Sequence, residues 1–323
     1  LKTQITDWLF VYNTIKQVID NNLNIRLKIF YFTLEMSKEQ KMLSAFSNIL
    51  YVKEGVRIAP KDLRSTKSDN VLSEETLELI DKYKPYFDKI EEIVEFIDDI
   101  RNPFGIYKFC RDYANNNGTQ HKKVVKFVNN KTGETTETEI DDYYEADNPE
   151  EYVMIIIDHI SLISCDSENG HKMSLHQSIV KLSSDYLITL RNKYKYIPVV
   201  IQQQASAQES LDNFKASKLK PTSEGLGDCK LTGRDADLIL GLFSPFRHEM
   251  PEYYGYNVKF FRDNIRFLEI VGGREGGGGT TCPLYFDGAV NYFKELPKPS
   301  DDIGLKKVYD FINNIVRKNE RRR

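Results

Sequence analysis

The sequence predicts an α/β fold built on a parallel sheet, and three observations carry that reading. The run YVMIIID at 152–158 is apolar on both faces, as a strand covered by helices on each side must be. KIFYFTL at 28–34 and IPVVIQQ at 197–203 are further apolar strand-type runs. Stretches with helical spacing or helix-start signals separate them, the alternation that produces parallel sheets.

Taken in order, TQITDWLFVYNTIKQVI (3–19) places Ile5, Trp8, Leu9, Tyr12, Ile15 and Ile19 on one helical face. After the first strand, Ser37 and Gln40 form a capping-box pattern that starts a second helix, so Glu35 sits at the strand's end just outside it. Residues 71–92 read as helical and EIVEFID (92–98) as a strand. Asn102-Pro103 reads as N-cap and first position of a helix ending near Gly118. Residues 122–140 read as two strands joined by a turn at Asn129 to Gly133, a hairpin inserted before the next core strand. A helix at about 172–194 leads into the strand at 197. After a polar stretch at 205–233, DLILGLF, RFLEIVG and CPLYFDG give three strands with no convincing helix between them. The expected result is a parallel core with an antiparallel or mixed extension. GREGGGG at 273–279 is the one low-complexity piece and reads as a hairpin tip.

Composition narrows the function classes. The 323 residues carry 45 Lys+Arg against 48 Asp+Glu, a net charge of -3 that excludes a broadly basic nucleic-acid coat but leaves room for local basic loops. The acidic run at 137–151 reads as a solvated face, and the closing RKNERRR as a disordered end. No apolar stretch approaches the roughly 20 residues of a membrane-spanning helix, and no export signal is apparent. The four cysteines lie far apart without a C-x-x-C pair, so no membrane, zinc or disulfide role is expected and a reducing cytoplasm is the expected location.

In open α/β sheets ligands bind at the carboxyl ends of the strands, and Glu35, Asp158 and Gln204 each follow an apolar strand. A carboxylate in Asp158's position suits Mg²⁺ and a nucleotide; its ordinary alternative is a helix cap or turn. Lys2-Thr3 precedes an amphipathic helix as the last two residues of G-x-x-x-x-G-K-[ST] do, with Leu1 where that motif has its final glycine. Taken alone, the pair is a lysine and a capping threonine. Glu35 alone is a solvent-facing strand end, and Gln204 a strand terminus whose register Gln202 and Gln203 share. His159 and the other histidines show no ligand spacing and read as structural or surface residues. The long stretch 205–230 carries Lys215, Lys218, Lys220 and Lys230, suited to phosphates, with Gly225 and Gly227 allowing close backbone approach.

Five blocks occur in a telling order: YFTLEMSKEQ (31–40), VMIIIDHISLI (153–163), IPVVIQQQ (197–204), GRDADLILGL (233–242), and FLEIVGGREGGGGTT followed by YFDG (267–288). Together they resemble the ATPase domain of DnaB-like replicative helicases, a RecA-like P-loop NTPase family, and their style suggests a bacteriophage source and hence a host cytoplasm. The departures are Leu1, Gly272 where the family usually has a lysine two residues before its arginine, and no counterpart of the family's N-terminal helical domain. The resemblance implies a RecA-like core over 1–296 with a helical basic tail over 297–323. It implies ATP and Mg²⁺ as cofactors, with Lys2 on the β- and γ-phosphates, Thr3 and Asp158 on Mg²⁺, Glu35 as general base and Gln204 sensing the γ-phosphate. Arg274 would be an arginine finger acting across a subunit boundary. Gly227, Asp228 and Lys230 would contact single-stranded DNA along its backbone, in a homo-oligomeric ring, a hexamer, with primase or a loader as further partners. The expected activity is an ATP-driven motor that translocates on single-stranded DNA and unwinds duplex. A RecA-like recombinase or clock-type ATPase, and a non-catalytic DNA-binding or scaffold module, remain as alternatives.

Overall fold

Helix α1 (Lys2–Thr6) continues through a π-helical stretch, Asp7–Tyr12, into α2 (Asn13–Asp20). The structure is a computed structural model and describes residues 2–21, 23–64, 71–128, 133–168, 171–205, 219–276 and 278–320. Strand β1 (Arg26–Thr33) is followed by α3 (Lys38–Glu54), α4 (Pro60–Leu63), α5 (Glu74–Ile93) and β2 (Val94–Ile97). Then come α6 (Pro103–Asn116), the hairpin β3 (Gly118–Val128) and β4 (Thr135–Ala146), and β5 (Glu151–Asp158). A two-residue ribbon, β6 (Ser167–Glu168) with β7 (His171–Lys172), precedes α7 (Leu175–Val180). A second π-helical stretch, Lys181–Leu187, joins α7 to α8 (Ile188–Tyr194), and β8 (Ile197–Val200) follows.

The core sheet has the order β2-β1-β5-β8 and every pairing in it is parallel. Its two faces explain the unbroken apolar runs. Phe30, Phe32, Val153, Ile155 and Ile157 pack with Ile106, Cys110, Ile179, Leu182 and Leu190 of the helices on one side. Leu27, Ile29, Tyr31, Met154 and Ile156 pack with Val11, Ile15, Ile49, Phe87 and Ile90 on the other. Alternate residues of each strand serve opposite faces, so both faces need apolar residues along most of their length.

The extension is an antiparallel sheet of order β14-β13-β12-β9, from β9 (Leu238–Phe243), β12 (Ile265–Gly273), β13 (Thr281–Asp287) and β14 (Tyr292–Glu295). Between β9 and β12 lie a small ribbon, β10 (Glu252–Tyr253) with β11 (Tyr256–Asn257), and a short helical turn, Val258–Phe261. Ile5, Trp8 and Leu9 of the N-terminal helix pack against Leu284, Phe286 and Phe293, tying this sheet to the core. The opposite face carries the helix Asp302–Glu320, whose Leu305 and Ile312 are buried with Phe243, Ile265, Phe267 and Tyr285. That helix lies within the tail expected to be helical over 297–323 and runs as far as Glu320, so the disordered end expected for RKNERRR is helical over its first four residues. Burying one such aliphatic side chain contributes about 1.5–3 kcal/mol, so Leu305 and Ile312 together anchor the helix on this sheet.

Three further expectations shift. The inserted hairpin is longer than 122–140, and four of the residues of its expected turn, 129–132, lie outside the described residues. It is laced by Lys126–Glu137 at 2.9 Å and Lys123–Asp142 at 2.8 Å, and its base is fixed where Tyr144 donates to the Ala114 carbonyl at 3.0 Å. The strand expected at 92–98 is confined to Val94–Ile97. Asn102 precedes α6 but makes no side-chain cap. Asp166 supplies it instead, accepting from the Phe104 N–H at 3.0 Å and from Asn102 Nδ2 at 2.8 Å, because a carboxylate is the stronger acceptor for a helix N-terminus.

Candidate active site

The parallel strands bring their carboxyl ends to one edge. Thr33 of β1 stands in register with Asp158 of β5, and the Leu34 N–H donates to the Asp158 carbonyl at 2.8 Å. Beyond β8, the Ile201 N–H donates to the Ile157 carbonyl at 3.0 Å and the Ile160 N–H to the Ile201 carbonyl at 3.0 Å. The Ser37–Gln40 capping box forms as expected and starts α3 at Lys38, which leaves Glu35 exposed in the turn between strand and helix.

Onto this edge comes the start of α1. Thr3 Oγ1 donates to Asp158 Oδ1 at 3.0 Å. Lys2 feels the charges of Glu35, Asp158 and Asp228; burial lowers its pKa below the ordinary lysine range, and those carboxylates oppose the shift. Carboxylates therefore outnumber ammonium groups around Lys2, an arrangement suited to a cation. Among the described residues no group of three His, Cys, Asp or Glu side chains could hold a metal by itself. A hydroxyl and a carboxylate are hard oxygen donors, and Mg²⁺ is ordinarily held by one or two such groups plus phosphate and water. Thr3 and Asp158 fit that role.

His159, expected to be structural or at the surface, is buried in the middle of the group. Its Nε2 lies 3.3 Å from Gln203 Nε2 and 3.9 Å from Glu35 Oε2. Burial first, and then the Lys2 cation, lower its pKa, so at neutral pH the approach to Glu35 is a polar contact rather than an ion pair. Gln203, not Gln204, thus makes the side-chain contact to this group. Gln204 forms an isolated antiparallel bridge with Leu226, and its Nε2 is buried without a hydrogen-bond partner, as is His159 Nδ1.

The loop after β8 returns to the same edge. The Gly227 N–H donates to the Gln203 carbonyl at 2.8 Å, and a Cβ at Gly227 would stand 3.0 Å from that oxygen. Its glycine thus serves a close approach within the chain. Asp228 accepts a hydrogen bond from Ser161, and its charge reaches Lys2 and His159, so it faces the strand-end group. Lys220 donates to Tyr254 at 2.6 Å, while Lys215 and Lys218 lie outside the described residues. Lys230 is exposed and lines a cleft of about 460 Å³ with Arg234, Gly272 and Arg274. Arg274 Nη1 is 3.1 Å from Asp237 Oδ1, at the end of β12 and apart from the Lys2–Asp158 group. The glycine-rich run lies between β12 and β13, with residue 277 outside the described residues.

Below Asp158 lies a buried set that the sequence reading missed. Tyr31 Oη is 2.8 Å from Asp7 Oδ1 and 3.0 Å from Asp158 Oδ2. Lys41 Nζ donates to both Asp7 oxygens at 2.8 and 3.0 Å and to Tyr31 Oη at 2.5 Å, and it stands 3.5 Å from Asp158 Oδ2. Burial raises the Asp7 pKa against the opposing pull of Lys41, and burial next to two carboxylates raises that of Tyr31 far enough to keep its proton. The one available signal was an aspartate beside the apolar run Trp8 to Val11 of an amphipathic helix. That aspartate opens the π-helical stretch and is buried on the same side as Val11 and Ile15, four and eight residues on.

No protein-family model and no curated protein sequence matches the chain. Solved structures do. A DnaB-like replicative helicase, described with its interactions with primase, superposes with a TM-score of 0.58 at 17% identity over 88% of this chain. The fold is shared with a DnaB-like replicative helicase. A second solved structure, described as an ATPase domain, superposes with a TM-score of 0.59 at 16% identity, over 88% of this chain and 79% of its own. The chain spans about half, 54%, of the length of the first of these structures. The parallel core and antiparallel extension are thus the RecA-like arrangement that the five sequence blocks implied. No helix among the described residues is long and apolar enough to cross a membrane.

Proposed function

We propose that this chain is the nucleotide-hydrolysing motor of a DnaB-like DNA helicase, acting as a ring on single-stranded DNA. The observation that carries the reading is the convergence of Lys2, Thr3, Glu35 and Asp158 at the carboxyl edge of a parallel sheet, with Thr3 and Asp158 in direct hydrogen-bond contact. In that reading the Lys2 ammonium binds the β- and γ-phosphates, and Thr3 and Asp158 hold Mg²⁺. Held there by Thr3 and Asp158, Mg²⁺ would supply positive charge against the charge that develops on the phosphates. Glu35, exposed and free of the buried network, takes the proton of the attacking water, while the unpartnered Gln204 amide is available to read the γ-phosphate. Asp228 and Gly227 join the DNA loop to this edge, a physical route by which nucleotide state would reach Lys230. Arg274, held by Asp237 on the rim of its own cleft, would serve the neighbouring subunit of a hexamer. Primase or a loader is the further partner this reading suggests.

The test is ATP hydrolysis by the protein with and without single-stranded DNA, together with unwinding of a forked duplex. DNA-stimulated hydrolysis and unwinding are expected, and both should vanish in Asp158→Asn. Hydrolysis without unwinding, with ATP-dependent filaments on DNA, would favour the recombinase alternative. DNA binding without any hydrolysis would favour the scaffold.

A further inference from the structure

The buried set beneath Asp158 contains two carboxylates and one ammonium. Lys41, Asp7 and Asp158 have side-chain exposures of 2%, 5% and 1%, so water does little to screen their charges. A purely structural ion pair would need one carboxylate for its lysine. Burying a second without a second buried cation is costly, since Lys2 is only half-buried, and here that second carboxylate is the one whose other oxygen meets Thr3.

We infer that Asp7 is the counter-ion that stops Lys41 from neutralising Asp158, so that the buried set keeps one net negative charge for a divalent cation at Thr3 and Asp158. This rests on the nucleotide and metal reading above and goes further, because it makes Asp7, Lys41 and Tyr31 positioning residues that act through Asp158. The geometry divides the labour. Lys41 has three protons, and its shortest carboxylate contact is to Asp7 at 2.8 Å, against 3.5 Å to Asp158. Tyr31 has one proton for two carboxylates, at 2.8 and 3.0 Å, and its oxygen already accepts from Lys41. Asp158 Oδ2 is therefore anchored from below while Oδ1 remains on the Thr3 side. With Asp7 neutral, Asp158 becomes the only carboxylate of the set in reach of the ammonium. Lys41 then closes on it, and the negative charge that attracts the metal is cancelled.

The test titrates the protein with Mn²⁺ alone and counts free ion by its solution electron paramagnetic resonance signal, a readout independent of turnover. The wild type is expected to bind one Mn²⁺ that Asp158→Asn abolishes. Asp7→Asn should weaken it about tenfold or more, corresponding to about 1.4 kcal/mol. Removing the ammonium as well, in Asp7→Asn/Lys41→Met, should bring affinity back to within about threefold of wild type, because Asp158 regains its uncompensated charge. Unchanged affinity in Asp7→Asn, or a double variant as weak as the single, would overturn the inference while leaving the metal reading standing. Binding that survives Asp158→Asn would instead overturn the metal reading. Should Asp7→Asn fail to fold, Lys41→Gln decides: affinity at or above wild type is expected, and a loss would show that Lys41 supports the metal rather than competing with it.

Discussion

Replacing Lys41 with methionine removes an ammonium that two Asp7 oxygens, the Tyr31 hydroxyl and Asp158 all face. Methionine nearly matches the lysine stem in volume, so the loss is chiefly electrostatic: Asp7 stays buried with no cation. Breaking one side of a buried ion pair costs about 3–5 kcal/mol. A chain of 323 residues has an unfolding entropy of roughly 0.7 kcal/mol/K, so the melting temperature should fall by about 4–7 °C. Differential scanning calorimetry on the wild type, Lys41→Met and Asp7→Leu/Lys41→Met measures this. The double variant should recover most of the loss, because an apolar pair in place of a buried ion pair is often neutral or better. A single variant that melts within about 1 °C of wild type, or a double that loses as much as the single, would refute the claim that this pair is buried and coupled.

Four other outcomes are expected. Arg274→Ala should lower hydrolysis by about 10³ or more, and mixing it with Lys2→Ala subunits should restore part of it; no recovery in verified mixed rings would remove the finger. Neutralising Lys230 should weaken single-strand binding about equally across sequences and reduce the salt slope by roughly 0.7, measured by fluorescence anisotropy at several salt concentrations. Cys110 and Cys229 are buried, and burial raises the Cys110 thiol pKa well above its ordinary value, so a thiol reagent at pH 8 should leave both unmodified until the chain unfolds. Asp166→Ala should cost about 1–2 kcal/mol by uncapping α6, read as a lower denaturation midpoint in urea.

The parts of this molecule written in local pattern were readable. Strands β1 and β5 announced themselves because both of their faces are covered, β8 by its β-branched run, and the Ser37–Gln40 capping box fixed where Glu35 stands. What escaped depends on contacts between distant segments. Asp166 caps α6 from 64 residues beyond Asn102, and no local signal connects them. Lys41 and Asp7 are 34 residues apart and look like surface charges until the fold brings them together in the core. Strand β14 has only four residues, too short to show an alternation. At the strand ends, a run of three glutamines hides which side chain turns toward His159; the pairing of the Gly227 N–H with the Gln203 carbonyl sets that register.

On the proposed reading this edge of the sheet hydrolyses ATP with Glu35 as the base, which Glu35→Gln puts to the test. The amide keeps the shape of the side chain and removes only its ability to accept the proton of water. ATP binding followed by a fluorescent analogue should stay near the wild-type level, while steady-state turnover on single-stranded DNA should drop by at least about 10². Near-normal turnover in Glu35→Gln, with nucleotide still bound, would contradict the account.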